Sequence, residues 1–273
     1  MKKGNNNIIT RFIKGIVIGA VMLVPGASGG TMAIILGIYD DLIHSLSTLS
    51  RKPKKNIFFL GTFTLAALLG IILFSRPMLA AVTHWRNPMM FLFMGAILGS
   101  IPPLYRKVKV SSIKLINIVV ACFGAFIGIM TMYLPADVFQ LSMQFNLYSI
   151  SMLILSGVII AVALVLPGIS ASYILLMLGM YNVTLMAIKD LNMYYLLPLT
   201  AGVLGGTLLT AGILEKAMKR HPQFTYMLII GFMLGSLVQI FPGIPSEKEI
   251  LYCVITFFIG FAAIFWLGRR RQY

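Results

Sequence analysis

Val24-Pro25-Gly26-Ala27-Ser28-Gly29-Gly30-Thr31 breaks a long apolar segment near the start of the chain. It returns 142 positions later as Leu166-Pro167-Gly168-Ile169-Ser170-Ala171-Ser172-Tyr173. The register holds without a gap through Leu36-Gly37-Ile38-Tyr39 and Leu178-Gly179-Met180-Tyr181, and upstream Gly15 pairs with Gly157. A second match, Gly95-Ala96-Ile97-Leu98-Gly99-Ser100 with Gly231-Phe232-Met233-Leu234-Gly235-Ser236, lies at an offset of 136. The shorter offset implies shorter connections in the second copy. One Pro-Gly break in a membrane helix means little. Two at matching places in two copies point to a binding site built from interrupted helices.

Composition sets the class. The 273 residues are 59% hydrophobic and only 11% charged, which is the balance of a polytopic helical membrane protein. Lys and Arg outnumber Asp and Glu by 22 to 7. They fall in short loops between apolar runs, as the orientation signal of membrane proteins requires, so nucleic acid is not implied as a partner. Cys122 and Cys253 lie inside apolar segments without metal-ligand spacing and read as packing residues. The basic N-terminus and the small residues Ala27 and Gly29 imitate a signal peptide. The same pattern in mid-chain argues against that reading.

Residues 1–134 are expected to form one repeat, with a hairpin over 14–48 and spanning helices over 56–78, 88–105 and 113–134. Residues 135–147 form a linker. Residues 148–273 form the second repeat, with a hairpin over 148–188 and helices over 194–214, 224–240 and 250–267. Basic clusters at the N-terminus, 51–55, 106–114, 216–220 and 269–271 are expected in the cytoplasm; 135–147, 189–193 and 242–249 are expected outside. A single kinked crossing at each break would put 51–55 on the wrong side. A segment that enters and returns puts every basic cluster inside. The expected fold is therefore an all-α polytopic membrane protein with an inverted repeat. Each half is a re-entrant helical hairpin plus three transmembrane helices, and both termini are cytoplasmic. Two full spans per hairpin satisfy the same parity, but the run 14–24 is short of the ~20 residues needed to cross.

Pro lacks an N–H and Gly permits sharp turns, so each break frees backbone groups that must face protein or water. A new helix is expected at Ser28-Gly29-Gly30-Thr31 and at Ser170-Ala171-Ser172. The first amides of such a helix have no intrahelical partner and favour an anion. These seven residues are the candidate phosphate site, with Pro25, Gly26, Pro167 and Gly168 shaping it. The bland alternative is a Ser N-cap and a Pro-Gly turn, which suffices for one copy but not for two. Gly37, Gly179 and the pairs Gly95/Gly99 and Gly231/Gly235 read as close-packing positions. Asp40, Asp41, Asp190 and Glu215 read as interfacial, so proton or sodium coupling is left open, and His44 reads as an exposed cytoplasmic residue.

The doubled motif resembles the PopT family of bacterial polyprenyl-phosphate transporters over nearly the whole chain. That resemblance implies transport of undecaprenyl phosphate, the recycled carrier lipid of envelope synthesis, from the outer to the inner leaflet of the cytoplasmic membrane. The second motif departs from the expected Ser-Gly-Ser at Ala171, which narrows backbone access there. Arg76 and Arg86 are candidates for headgroup capture, with interfacial snorkelling as the competing reading. No cofactor or metal is implied, and a homo-oligomer is left open. Two rivals remain: a transporter of a small soluble anion, and an enzyme acting on lipid phosphates. Such an enzyme needs a nucleophile with its base or clustered acids, and the sequence presents neither.

Overall fold

The computed structural model describes residues 8–22, 28–106, 108, 115–133 and 147–270. Pro25, Gly26, the N-terminal tail and almost all of the expected linker lie outside them. Among the described residues there are twelve helices and no strand. They are α1 Ile8–Val21, α2 Gly29–Ile35, α3 Tyr39–Ser47, α4 Pro53–His84, α5 Arg86–Arg106, α6 Leu115–Tyr133, α7 Leu147–Val165, α8 Ala171–Met177, α9 Tyr181–Lys189, α10 Met193–Arg220, α11 Pro222–Ile240 and α12 Glu247–Arg270. Six are long and apolar enough to cross a membrane: α4, α5, α7, α10, α11 and the Glu247–Leu267 part of α12.

Helix ends differ from the expected ones in a consistent direction. Helix α4 starts at Pro53 and runs to His84, and α10 runs on to Arg220. Hydropathy marks the part in hydrocarbon, whereas Lys and Arg are good helix formers that carry the helix past it. Arg76, expected near the end of the helix over 56–78, therefore lies well inside α4. The other difference lies in the second arm of each expected hairpin, which is two helices rather than one. Gly37 and Gly179 have φ of 61° and 66°. Around the first, Ile38 N–H donates to Ala33 O and Gly37 N–H to Ile34 O, both at 2.9 Å. Met180 to Leu175 and Gly179 to Leu176 repeat the pattern at 2.9 Å. These are paired Schellman endings, which require the left-handed residue that glycine supplies. Gly37 and Gly179 are thus helix stops.

The packing pairs repeat as the sequence does. Helix α1 lies along α4 and α7 along α10, while α5 lies along α12 and α11 along α6. Small residues permit this. A Cβ on Gly15 would meet Ala66, and one on Gly157 would meet the backbone of Val203. Gly95 and Gly99 lie against the Phe257 and Phe261 carbonyls of α12. Gly231 and Gly235 lie against those of Ala121 and Ala125 in α6. Close backbone approach is how helices associate where lipid removes the hydrophobic drive. The outer faces are apolar, with Leu65, Ile72, Phe123, Leu209, Ile213 and Phe258 all exposed, as a lipid-facing surface requires. The largest buried cluster joins residues of both copies, including Ile38, Tyr39, Ile97, Ile229 and Met233.

Candidate functional site

The two breaks come together. Gly168 N–H, at the second, donates to Thr31 Oγ1, at the first, over 2.9 Å in a buried setting. Gly30 lies against Pro167, whose Cα would be 3.2 Å from an added Cβ. One backbone donor of the second break is thus satisfied by a hydroxyl of the first, as a buried amide demands. Gly168 itself has φ of 86° and lies on the Phe232 carbonyl of α11. Only glycine fits that conformation and that contact.

Beside this junction is a small cavity lined by Ser28, Thr31, Met32, Phe93, Ile97, Ser236 and Ile240. Helix α2 supplies Thr31 and Met32, α5 supplies Phe93 and Ile97, and α11 supplies Ser236 and Ile240. Three hydroxyls meet there against an apolar wall. Ser28 stands at the N-cap of α2 with extended backbone, yet its side chain makes no capping bond. Ser236 is 2% exposed and its hydroxyl donates to Met233 O at 2.7 Å.

The expected site residues divide. Ser28 and Thr31 line the cavity, but Gly29 lies beside Met22 and Gly30 is closed off by Pro167. Ser170 and Ala171 are half-buried and do not line it. Ala171 packs on apolar residues instead, and the Ser172 side chain lies outside the description. Arg76 and Arg86 are exposed and do not line the cavity either. Because α2 and α8 have only seven residues each, the dipole at either N-terminus is that of two turns. Ser236 and Phe93 were not expected. The match of Ser236 to Ser100 at an offset of 136 was the available signal, since a repeated Ser inside an apolar helix needs a polar neighbour. No cluster of His, Cys, Asp or Glu among the described residues has the geometry of a metal site.

Fold and site define a multi-pass membrane protein with a neutral, hydroxyl-lined cavity where two broken segments meet. The chain belongs to the family described as VCA0040-like, undecaprenyl phosphate translocase-like, which it matches over residues 18–254. It is 32% identical over 251 residues to a polyprenyl-phosphate transporter of Vibrio cholerae serotype O1, covering 86% of this chain and 78% of that protein. A polyprenyl-phosphate transporter of Staphylococcus aureus strain NCTC 8325 is 32% identical over 270 residues, covering 94% and 95%. No solved structure matches. Both relatives are named as transporters rather than enzymes, in accord with the expectation from the sequence.

Proposed function

We propose that this protein moves undecaprenyl phosphate from the outer to the inner leaflet of the bacterial cytoplasmic membrane, returning the carrier lipid to envelope synthesis. The observation that carries this reading is the cavity of Ser28, Thr31 and Ser236 at the meeting point of the two breaks. Hydroxyl donors suit phosphate oxygens. Recognition without a cation also spares the ~2.5–3.5 kcal/mol that a charged side chain costs at mid-membrane. The apolar tail stays in lipid while the head passes through the cavity.

In this reading the chain is an inverted repeat, 1–134 and 148–273 joined by 135–147. Each copy is a re-entrant hairpin with three spanning helices, and both termini are cytoplasmic. The matching breaks, the exchanged pairing of α5 with α12 and of α11 with α6, and the parity of the basic clusters support it. Rocking of one bundle against the other would then open the cavity to each leaflet in turn.

The test is translocation of a polyprenyl phosphate in proteoliposomes. Replacing Ser28 and Ser236 together by Ala removes two of the hydroxyl groups that line the cavity and is expected to slow flux about tenfold or more, at ~1.4 kcal/mol per decade. Ser170→Ala is expected to cost less than threefold, a difference well under that decade. Unchanged flux in the double variant sinks the cavity as the headgroup site. Inhibition by water-soluble phosphate esters, with no lipid flux in the wild type, would instead favour a soluble anion as substrate.

A further inference from the structure

Helix α1 carries its two cations on the side that faces protein. Ile9, Ile13 and Val17 are exposed, whereas Arg11 is half-buried and Lys14, Gly15, Ile18 and Gly19 are buried. The spacing from Arg11 through Lys14, Gly15 and Ile18 puts these residues on one stripe, and Gly15 and Gly19 press that stripe onto α4. A basic residue that serves only to orient a membrane helix reaches outward to water and headgroups. These two are turned inward.

Arg11 is the more informative. Its guanidinium carbon stands 5.1 Å from the centre of the Phe59 ring, and Phe59 is 6% exposed. Its Nε is buried and has no hydrogen-bond partner among the described residues. Glu215 is taken up by His44, Ser47 and Lys219. Lys14 is held by interactions within the protein. Cation–π stacking contributes roughly 0.5–2 kcal/mol but gives the buried Nε–H no acceptor. A buried donor without an acceptor costs about 1–3 kcal/mol, more when charged. A guest with planar pairs of oxygens removes that cost.

We propose that Arg11, stacked on Phe59, is the anion contact of a second lipid-phosphate site. At ~1.5 Å per residue it lies ~15 Å along α1 from Val21, on the far side from the break. With the N-terminus in the cytoplasm, as the transport reading on which this placement rests has it, that is the level of inner-leaflet headgroups. The guanidinium fork matches phosphate in a bidentate manner. The occupant is a phosphate lipid: the carrier after it has crossed, or an anionic phospholipid of that leaflet.

The experiment uses the full chain in phosphatidylcholine nanodiscs doped with farnesyl phosphate or with phosphatidylglycerol, counting retained lipid by native mass spectrometry. Arg11→Gln is expected to lower retention of a phosphate lipid about tenfold, with Arg11→Lys recovering part of it. Loss confined to farnesyl phosphate assigns the site to the carrier; loss confined to phosphatidylglycerol assigns it to resident lipid. Phe59→Leu, which keeps the charge and removes the stack, is expected to give a smaller loss and guards against a misfolded Arg11 variant. Equal retention of both lipids by wild type and Arg11→Gln overturns the proposal. Failure of the transport reading looks different: Ser28→Ala would then leave farnesyl phosphate retention unchanged while Arg11→Gln still released phosphatidylglycerol.

Discussion

At the first break Ser28 enters α2 with φ of −86° and ψ of 132°; at the second, Ser170 enters α8 with −90° and 122°. Both short helices then end on a left-handed glycine and pass into nine-residue helices, α3 and α9. The surroundings diverge. Helix α3 is tied to α10, where Glu215 accepts from Ser47 and from Lys219 at 2.5 Å and lies 2.6 Å from His44 Nδ1. Helix α9 has no comparable packing on α4. Tyr39 is 4% exposed and bonded across to α7, whereas Tyr181 is 38% exposed. Residues of α2 and α3 belong to the main core, while Leu178, Met180 and Ala187 join a separate cluster with α7 and α10. Local sequence thus repeats the backbone, and tertiary setting decides which copy holds the polar cavity. In the proposed cycle, two copies with one backbone and two settings are what alternation between leaflets needs.

The sharpest way to break this comparison is at the junction itself. Gly168→Ala adds a Cβ at φ of 86° and drives it into the Phe232 carbonyl. Left-handed strain of about 1–2 kcal/mol adds to about 1–3 kcal/mol of overpacking. The expected result is a loss of ~2–5 kcal/mol, read as a large fall in thermal midpoint of the purified protein. Gly205→Ala serves as the control, because a Cβ there meets nothing within 4 Å. Equal melting of the two variants would show that the breaks do not depend on each other.

Thr31→Val tests the link from the other side. Valine keeps the shape and removes the acceptor of the Gly168 amide, leaving a buried donor unsatisfied at a cost of ~1–3 kcal/mol. Thr31→Ser keeps the acceptor and is expected to recover most of the stability. Hydrogen exchange at the Gly168 amide gives a direct readout, accelerated in the Val variant and slow in the Ser variant.

Much of this was legible in the chain. Helical class followed from apolar runs, and the breaks followed from Pro-Gly pairs, because both are set by local backbone chemistry. Ala171, the departure noted in the second motif, packs on apolar neighbours. Three features were not legible. The stops at Gly37 and Gly179 hid inside apolar text, where a packing glycine and a left-handed glycine look alike. Ser236 reaches the cavity only because α11 lies beside α2 and α5, a long-range fact. Arg11 read as one more orientation charge, since its inward direction is set by which stripe of α1 meets α4.

The smallest effect discriminates the copies most finely. Tyr39 donates its hydroxyl to Val165 O at 2.7 Å across the buried space between α3 and α7. That carbonyl ends α7, where the last turn has no intrahelical donors, so the phenol acts as a cap supplied by the other copy. Tyr39→Phe removes the donor without changing shape and should cost about 0.5–1.5 kcal/mol. Tyr181 holds the same place in its own motif but is more than a third exposed, so Tyr181→Phe should change the thermal midpoint by less than the scatter between preparations. A carbonyl with a second lone pair tolerates loss of one donor better than an amide does, which is why this step ranks below Thr31→Val. Equal shifts for Tyr39→Phe and Tyr181→Phe would mean that the copies are alike in solution and that the asymmetry of α3 and α9 is no property of the molecule. A shift for Tyr39 alone would locate the asymmetry in the one hydrogen bond between α3 and α7.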